Sequence, residues 1–465
     1  MKKLALFGMV TAVGLLTSCM MGPQYKPPAV NVPQDYRTPE PQQAAATSSL
    51  GNEQWWQVYQ DPVLTQLIHT AVAQNYDVRI AAARVLEAQA QVGITRANQL
   101  PSANVGADVF SQQNAKVTKL FPAYQVNGGE LNLSVIWNLD FWGKYRRQTE
   151  AARAQLLATE WGQRAVISSL VANVAAAYFQ LRALDSELDI SKRTLASRQQ
   201  SLQLTQVLES HGGGSGLDVS QAEQLVYTAS ETIPDLERQI QQQENLLSVL
   251  LGENPESIPR GRALTEQPVP QNIPAGLPSE LLERRPDVRQ AEEYMVAANA
   301  QIGAARASFF PNLSLTGLGG LESNALHRFI TAPSETWYAA FNVSQPVFQG
   351  GALRSQLRLA RANWQESVIS YQQTVQNSLE QVSNALIASQ KDREFREQQE
   401  LLTGAAQRTD QLSQVLYKNG GASYLQVLTS ETNYFSAELN LVQAQFNEHL
   451  ALVQLYQALG GGWQQ

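Results

Sequence analysis

Four short segments alternate apolar and polar residues with the two-residue period of a strand that has one apolar face. Val105, Ala107 and Val109 oppose Asn104, Gly106 and Asp108. Leu131, Leu133, Val135, Trp137 and Leu139 oppose Asn132, Ser134 and Asn138. Leu313 and Leu315 oppose Asn312, Ser314 and Thr316, and Trp337, Ala339, Phe341 and Val343 oppose Tyr338, Asn342 and Ser344. The segments form two pairs, within 103–140 and 312–349, each joined by a stretch rich in Gly, Asn, Gln or Ser. Such pairs suit surface hairpins on a soluble protein. They equally suit membrane strands, for which about 9–11 residues complete a tilted crossing, apolar side to lipid and polar side to a lumen. Four strands do not close a barrel, and an open edge in lipid leaves backbone groups unpaired. A membrane reading therefore requires two, three or four copies, giving eight, twelve or sixteen strands.

Between the strand pairs the period changes to that of helices. The longest tracts, 144–210 and 352–418, contain no proline. At about 1.5 Å per residue each would reach about 100 Å, far beyond the roughly 10–14 residues of an ordinary globular helix. Val166, Leu170, Val174, Ala177, Leu181, Leu184 and Leu188 spread over a broad sector rather than a narrow seam. Small residues permit close packing on both flanks while Gln, Arg and Glu face water, which suits the wall of a water-filled cylinder. A plain coiled-coil rod is the alternative. Shorter return helices, 217–251 and 425–459, follow His211-Gly212-Gly213-Gly214-Ser215-Gly216 and Asn419-Gly420-Gly421-Ala422-Ser423. Glycine clusters end helices and permit reversals, so each is a hairpin tip, expected at the end remote from the strands. Flanking helices, 61–99 and 278–309, run toward Pro101 and Pro311, where proline stops the helix and starts a strand.

The halves repeat one another at an offset of about 208 residues. Ala90-Gln91-Val92-Gly93-Ile94-Thr95-Arg96-Ala97 returns as Ala300-Gln301-Ile302-Gly303-Ala304-Ala305-Arg306-Ala307. Arg146, Ala152, Arg153 and Ala154 return as Arg354, Ala360, Arg361 and Ala362, and Leu251-Gly252 as Leu459-Gly460. Solenoid repeats run roughly 20–50 residues, so this is a duplicated half. The expected organisation is a leader (1–18), an N-terminal belt (19–60), a first repeat (61–253, tip 211–216), an equatorial linker (254–278), a second repeat (279–460, tip 419–423) and a short tail (461–465). Both 20–60 and 254–278 are rich in proline and polar residues, and Trp55-Trp56 is expected to anchor the first belt.

Lys2 and Lys3 precede a short apolar run, Leu4–Leu16, and the chain's single cysteine closes Leu16-Thr17-Ser18-Cys19. This order resembles a bacterial lipobox, which implies cleavage before Cys19, acylation of Cys19 and, with Met20 following, anchorage in outer-membrane lipid. Cleavage removes two lysines and no acid, moving the formal charge from −7 to −9. With one cysteine no disulfide forms within the chain. No apolar run of about 18 residues is expected beyond the leader, so any crossing would be by strands. No basic stripe suggests nucleic acid. His69, His211, His327 and His449 are scattered without metal-ligand spacing, and no nucleophile or phosphate-loop motif is present, so neither an enzyme nor a cofactor is expected.

Several motifs in order carry a family resemblance: the lipobox, Gly22-Pro23-Gln24-Tyr25-Lys26-Pro27-Pro28, Trp55-Trp56, Leu282-Glu283-Arg284-Arg285-Pro286-Asp287-Val288, Ile302 through Pro311, and Ala458-Leu459-Gly460-Gly461-Gly462-Trp463. Together they resemble the TolC/OprM-type outer-membrane efflux factors, in their NodT-like lipoprotein branch, over essentially the whole chain. The resemblance implies a mixed α+β membrane protein. It would be a homotrimer with a twelve-stranded transmembrane β-barrel continuous with a long periplasmic α-helical barrel. It implies a passive duct that docks with a periplasmic adaptor and an inner-membrane pump, RND-type for the lipoprotein branch, to export small molecules such as drugs. Service to an ABC-type protein exporter and a non-conducting structural lipoprotein are the alternatives. Family members often carry acidic residues just after the second tip, but Gln426 and Thr429 stand at the matching positions. Asp218, at the equivalent place in the first repeat, is the candidate replacement, its plain reading being an acid favoured by the helix dipole. Tyr417 and Lys418 fall where residues tethering neighbouring helices would lie. Gly213, Gly214, Gly420, Gly421 and Ser423 are the candidate docking tips.

Overall fold

The computed structural model describes residues 20–38, 49–113, 125–270, 274–324 and 328–464. The leader, Cys19 and His327 lie outside the described residues. In chain order the elements are α1 (Trp55–Tyr59), α2 (Pro62–Gln74), α3 (Tyr76–Ala97), β1 (Ser102–Gln113), β2 (Gln125–Leu139), α4 (Lys144–Ser210) and α5 (Gly216–Leu251). There follow α6 (Pro278–Arg284), α7 (Pro286–Ala307), β3 (Asn312–Ser323), β4 (Glu335–Ser344), α8 (Ala352–Lys418) and α9 (Tyr424–Ala458). The chain divides into two compact units.

One unit comprises Met1–Ala29, Arg84–Thr159 and Gln290–Gln372. Its centre is a single antiparallel sheet of order β1-β2-β3-β4, so the two hairpins are joined by a β2–β3 pairing across the repeats. The register makes the strand alternation continuous. Val105 faces Leu133, Trp137 faces Leu315, and Leu315 faces Phe341. Leu313 stands opposite Val343, and Gly319 opposite Trp337 leaves that indole room. One face of all four strands is thereby apolar, and Val105, Leu133, Trp337 and Phe341 on it are exposed. The other face carries Asn104, Asn132, Ser134, Asn138, Ser314, Thr316 and Asn342, with Ile136 and Leu318 among them. Among the described residues, β1 and β4 each pair on one side only. At the foot of the sheet Trp142 stacks on Phe310 at 4.8 Å and donates its indole N–H to the Pro311 carbonyl (2.9 Å). The segment after Cys19 is pinned nearby. Met21 N–H donates to the Trp142 carbonyl (3.2 Å) and the Arg147 guanidinium to the Met21 carbonyl (3.1 Å).

The other unit comprises Val30–Ala83, Glu160–Arg289 and Gln373–Gln465 and holds the larger hydrophobic core. Tyr59, Leu64, Ile68, Tyr178, Phe179, Leu247, Leu251 and Tyr456 are fully buried there, worth about 1.5–3 kcal/mol for each fully buried aliphatic or Phe side chain. Trp55 is buried, packed edge-on against Trp56 at 5.0 Å and against His69 at 4.8 Å. Asp61 is the polar hub of the belt. It caps α2 by accepting from Val63 N–H (2.8 Å) and Leu64 N–H (3.2 Å), and it also accepts from Tyr178 (3.0 Å), Gln267 (2.6 Å) and Arg262 N–H (3.2 Å). Burial alone would raise its carboxyl, but these hydrogen bonds outweigh it and hold the group below the usual range.

Both flanking helices are interrupted where continuous ones were expected. Asn75 divides the first, its Oδ1 accepting from Asp77 N–H (2.8 Å) to start α3 while its Nδ2 donates to the Leu250 carbonyl (2.9 Å). Arg285 divides the second, because the proline at 286 forces the residue before it into extended backbone (φ −71°, ψ 124°). In α4 one 18-residue window is long and apolar enough by composition to cross a membrane, and 61% of it is buried within the protein.

Candidate functional site: the helical tips

The tips belong to the helical unit, and the two reversals share one backbone solution. After α4, Gly212 adopts φ +77°, and after α8, Gly420 adopts φ +71°. Gly213 N–H donates to the Leu208 carbonyl (2.8 Å) and Gly212 N–H to the Glu209 carbonyl (3.0 Å). Gly421 N–H donates to Leu416 (2.8 Å) and Gly420 N–H to Tyr417 (3.0 Å) in the same pattern. These paired bonds satisfy the last carbonyls of each helix, and only the left-handed position demands glycine. Gly212, first of the glycine triplet in the tip 211–216, takes that position. Gly213, Gly420, Gly421 and Ser423 are exposed, and Gly214 is half-buried.

The return helices start differently. Ser215 and Asp218 form a reciprocal cap: Ser215 N–H donates to Asp218 Oδ2 (2.9 Å) and Asp218 N–H to Ser215 Oγ (3.3 Å). Asp218 is therefore held by its own helix start, at the positive end of the dipole. Ser423 begins α9 without a side-chain cap bond, and Gln426 and Thr429 are exposed.

Tyr417 and Tyr424 tie the second tip to the first. Their rings are 5.5 Å apart, and Tyr424, only 3% exposed, packs in a small cluster with Val427 and Ala222, with Leu202 against it. Both phenols sit beside buried Thr205 of α4, whose hydroxyl donates to the Ser201 carbonyl (2.8 Å). Burial, and then the Asp218 carboxylate, push the Tyr417 phenol up; burial, and then Glu431, push Tyr424 up further. Lys418 is exposed at the end of α8.

Farther from the tips the same helices share a buried polar network. Gln414 donates to Asp410 Oδ2 (3.0 Å) and Glu431 Oε1 (3.3 Å), Ser201 donates to Glu431 Oε1 (3.1 Å), and the Ser413 and Ser430 hydroxyls lie 2.5 Å apart. Arg198 donates to the Leu225 carbonyl (2.9 Å) and lies over the Phe435 ring at 5.0 Å. None of these residues was singled out from the sequence. The available signal was the four-residue spacing of Val427, Glu431 and Phe435, which puts a carboxylate on an apolar stripe.

Among the described residues no cluster of His, Cys, Asp and Glu has the makings of a metal site. The arrangement is mechanical: two helix reversals, joined by an aromatic tie, on helices of 67 residues.

The chain matches the family model described as Outer membrane efflux protein over residues 67–253 and 277–461, once in each repeat. It is 33% identical to the Cation efflux system protein CusC of Escherichia coli over 455 residues, 97% of each chain. It is 32% identical to the Toluene efflux pump outer membrane protein TtgC of Pseudomonas putida over 472 residues, 99% of this chain and 96% of the other. The open-state crystal structure of the MtrE outer membrane channel of Neisseria gonorrhoeae aligns with a TM-score of 0.86 at 29% identity, covering 96% of this chain and 99% of that one. These relatives are transport proteins rather than enzymes. The fold class is accordingly a duplicated, mixed α+β one, in which each chain holds a four-stranded sheet and long helices, as in these outer-membrane efflux channels. With both repeats matched and full-length relatives above 30% identity, the chain belongs to the outer membrane efflux protein family, as the outer-membrane channel component of an efflux system.

Proposed function

We propose that three copies of the chain form a passive exit duct whose gate is the ring of helical tips. The duct docks there with a periplasmic adaptor and takes its cargo from an RND-type inner-membrane pump. The aromatic tie carries this reading. Tyr417 and Tyr424 fasten the second hairpin to Thr205 and Leu202 of the first, and a contact of that kind can hold a pore shut and still be released. Tyr417, Lys418 and Asp218 are the gate residues in this reading, with Gln426 and Thr429 leaving the family's acidic position uncharged. The reversals at Gly213, Gly214, Gly420, Gly421 and Ser423, exposed save for half-buried Gly214, are the docking points. Cys19 carries the acyl chains that hold the N-terminus in outer-membrane lipid, and two residues on, Met21 is pinned beside Trp142. Cargo is a small molecule chosen by the pump, because a wide aqueous duct selects little.

Photo-reactive side chains at Lys418 and Ser423 in cells test the docking. Capture of a periplasmic adaptor, identified by mass spectrometry, is expected. Capture of copies of this chain alone, with the pump expressed, would contradict it. Mass spectrometry of the mature N-terminus tests Cys19: an acylated Cys19 is expected, and an unmodified one refutes the anchor.

A further inference from the structure

About 18 Å behind the end of α4, at about 1.5 Å per residue, a cavity of about 180 Å³ lies between the two hairpins. Every element around it supplies identifiable groups. From α4 come Arg193 and Arg198, from α8 Asp410, and from α9 Glu431, Tyr434 and Glu438. Tyr424 of α9 faces Glu431 from the tip side, and α5 gives the Leu225 carbonyl, which accepts from Arg198. Arg193 is 63% exposed and close to Asp189 (3.4 Å) and Glu438 (3.6 Å). The deep part is therefore one cation and two acids: Arg198 is 2% exposed, Asp410 8% and Glu431 7%.

The cation is spent only partly on the acids: its charge favours an ionised Glu431, but it donates no hydrogen bond to either carboxylate. Its guanidinium serves Leu225 and Phe435, leaving Nε without a partner, and Glu431 Oε2 has none either. Two carboxylates in one desolvated interface, facing a single arginine aimed elsewhere, do not both ionise readily. Burial, and then the neighbouring Asp410, push Glu431 up against the pull of Ser201 and Arg198, and burial pushes Asp410 up against the pull of Gln414 and Ser430.

We propose that Asp410 and Glu431 hold one shared proton and, with Arg198, form an acid-tightened brace between the two hairpins behind the tips. This rests on the reading of the tips as the gate and adds its regulation. The proton occupies the otherwise unpartnered side of the pair and exchanges with water. When it leaves, two like charges face each other across α8 and α9 next to α4, and separating the hairpins so that water reaches them relieves the repulsion. Both acids bind protons more tightly in the packed state than when solvated, so the brace is strong at acidic pH. It weakens as pH rises above the ordinary carboxylate range through the raised values. The higher proton affinity of the packed state favours the braced arrangement at acidic pH.

The test uses the full-length trimer in planar lipid bilayers from about pH 5 to about pH 8, together with infrared difference spectra of its carboxyl band. Open probability is expected to fall about tenfold or more on acidification. The Asp410→Asn, Glu431→Gln double variant is expected to lose that response and the titrating carboxyl signal. Glu431→Gln alone should reduce both, which preserves the test should the double variant not assemble as an SDS-resistant trimer. A double variant that keeps the wild-type pH response, or a wild-type spectrum with no protonated carboxyl, overturns the brace while leaving the duct intact. A trimer that never conducts under any condition overturns the duct, and the infrared signal still decides the shared proton.

Discussion

Removing the Tyr424 ring should open the tips, and removing only its hydroxyl should not. Tyr424 is 3% exposed, its ring lies 5.5 Å from Tyr417, and Val427, Ala222 and Leu202 surround it. Truncating a buried aromatic to alanine costs about 3–5 kcal/mol. Because much of that packing bridges the two hairpins, most of the loss falls on the closed arrangement, where about 1.4 kcal/mol is a factor of ten. Tyr424→Ala is therefore expected to raise the population of the open tip by about a hundredfold or more per subunit. The phenol oxygen is buried without a hydrogen-bond partner in good geometry, so Tyr424→Phe removes an unsatisfied group and should change the balance by less than about 1 kcal/mol. Single-channel recording of both variants in planar bilayers checks this, with SDS-resistant trimer on gels as the folding control. A Tyr424→Ala channel as quiet as wild type, or a Tyr424→Phe channel as leaky as Tyr424→Ala, would refute the aromatic tie.

Three further outcomes concern other parts of the molecule. Gly212→Ala places a side chain in open space at φ +77° and should loosen the first tip by about 1–2 kcal/mol of backbone strain. Gly213→Ala has no such φ and should be near neutral, as adaptor cross-linking yield and tip proteolysis would report. Leu133→Arg on the apolar face should cost about 2–4 kcal/mol if the residue lies at bilayer mid-depth, while Asn132→Arg on the other face should insert and assemble, read by heat-modifiable gel mobility after refolding into vesicles. His449 stacks on Phe179 at 4.9 Å and sits against the Leu264 carbonyl at 3.3 Å, and burial lowers its pKa from 6.5 to about 4. The unfolded chain binds that proton first, so stability is full above about pH 6.5 and falls by about 3 kcal/mol toward pH 4. His449→Gln should flatten this slope in urea titrations at several pH values, and an unchanged slope would contradict it.

The fold class was legible because each element carries its own local signature. Strand alternation survives in the register, with Val105, Leu133, Leu315 and Phe341 on one face, and glycine clusters mark both reversals. The β2–β3 pairing was not legible, because it joins residues nearly two hundred positions apart and nothing local in either strand names its partner. The breaks at Asn75 and Arg285 were partly legible. Proline at 286 announces one, but the other depends on Asn75 reaching Leu250 of a distant helix. At the tips, Ser215 and Asp218 stand at capping-box spacing, so the plain reading of Asp218 was available in the sequence. Tyr424 and the Arg198, Asp410 and Glu431 node were hidden for a different reason. Their significance lies in three segments meeting, and each segment alone reads as an ordinary amphipathic helix.

Above all, cargo should leave the cell through this chain. The most direct test is accumulation of a panel of fluorescent dyes and metal cations in cells that keep the adaptor and pump but lack this protein. Raised accumulation of at least one panel member, restored by the wild-type chain, is the predicted result. Unchanged accumulation across the panel, with the pump demonstrably active, would contradict it.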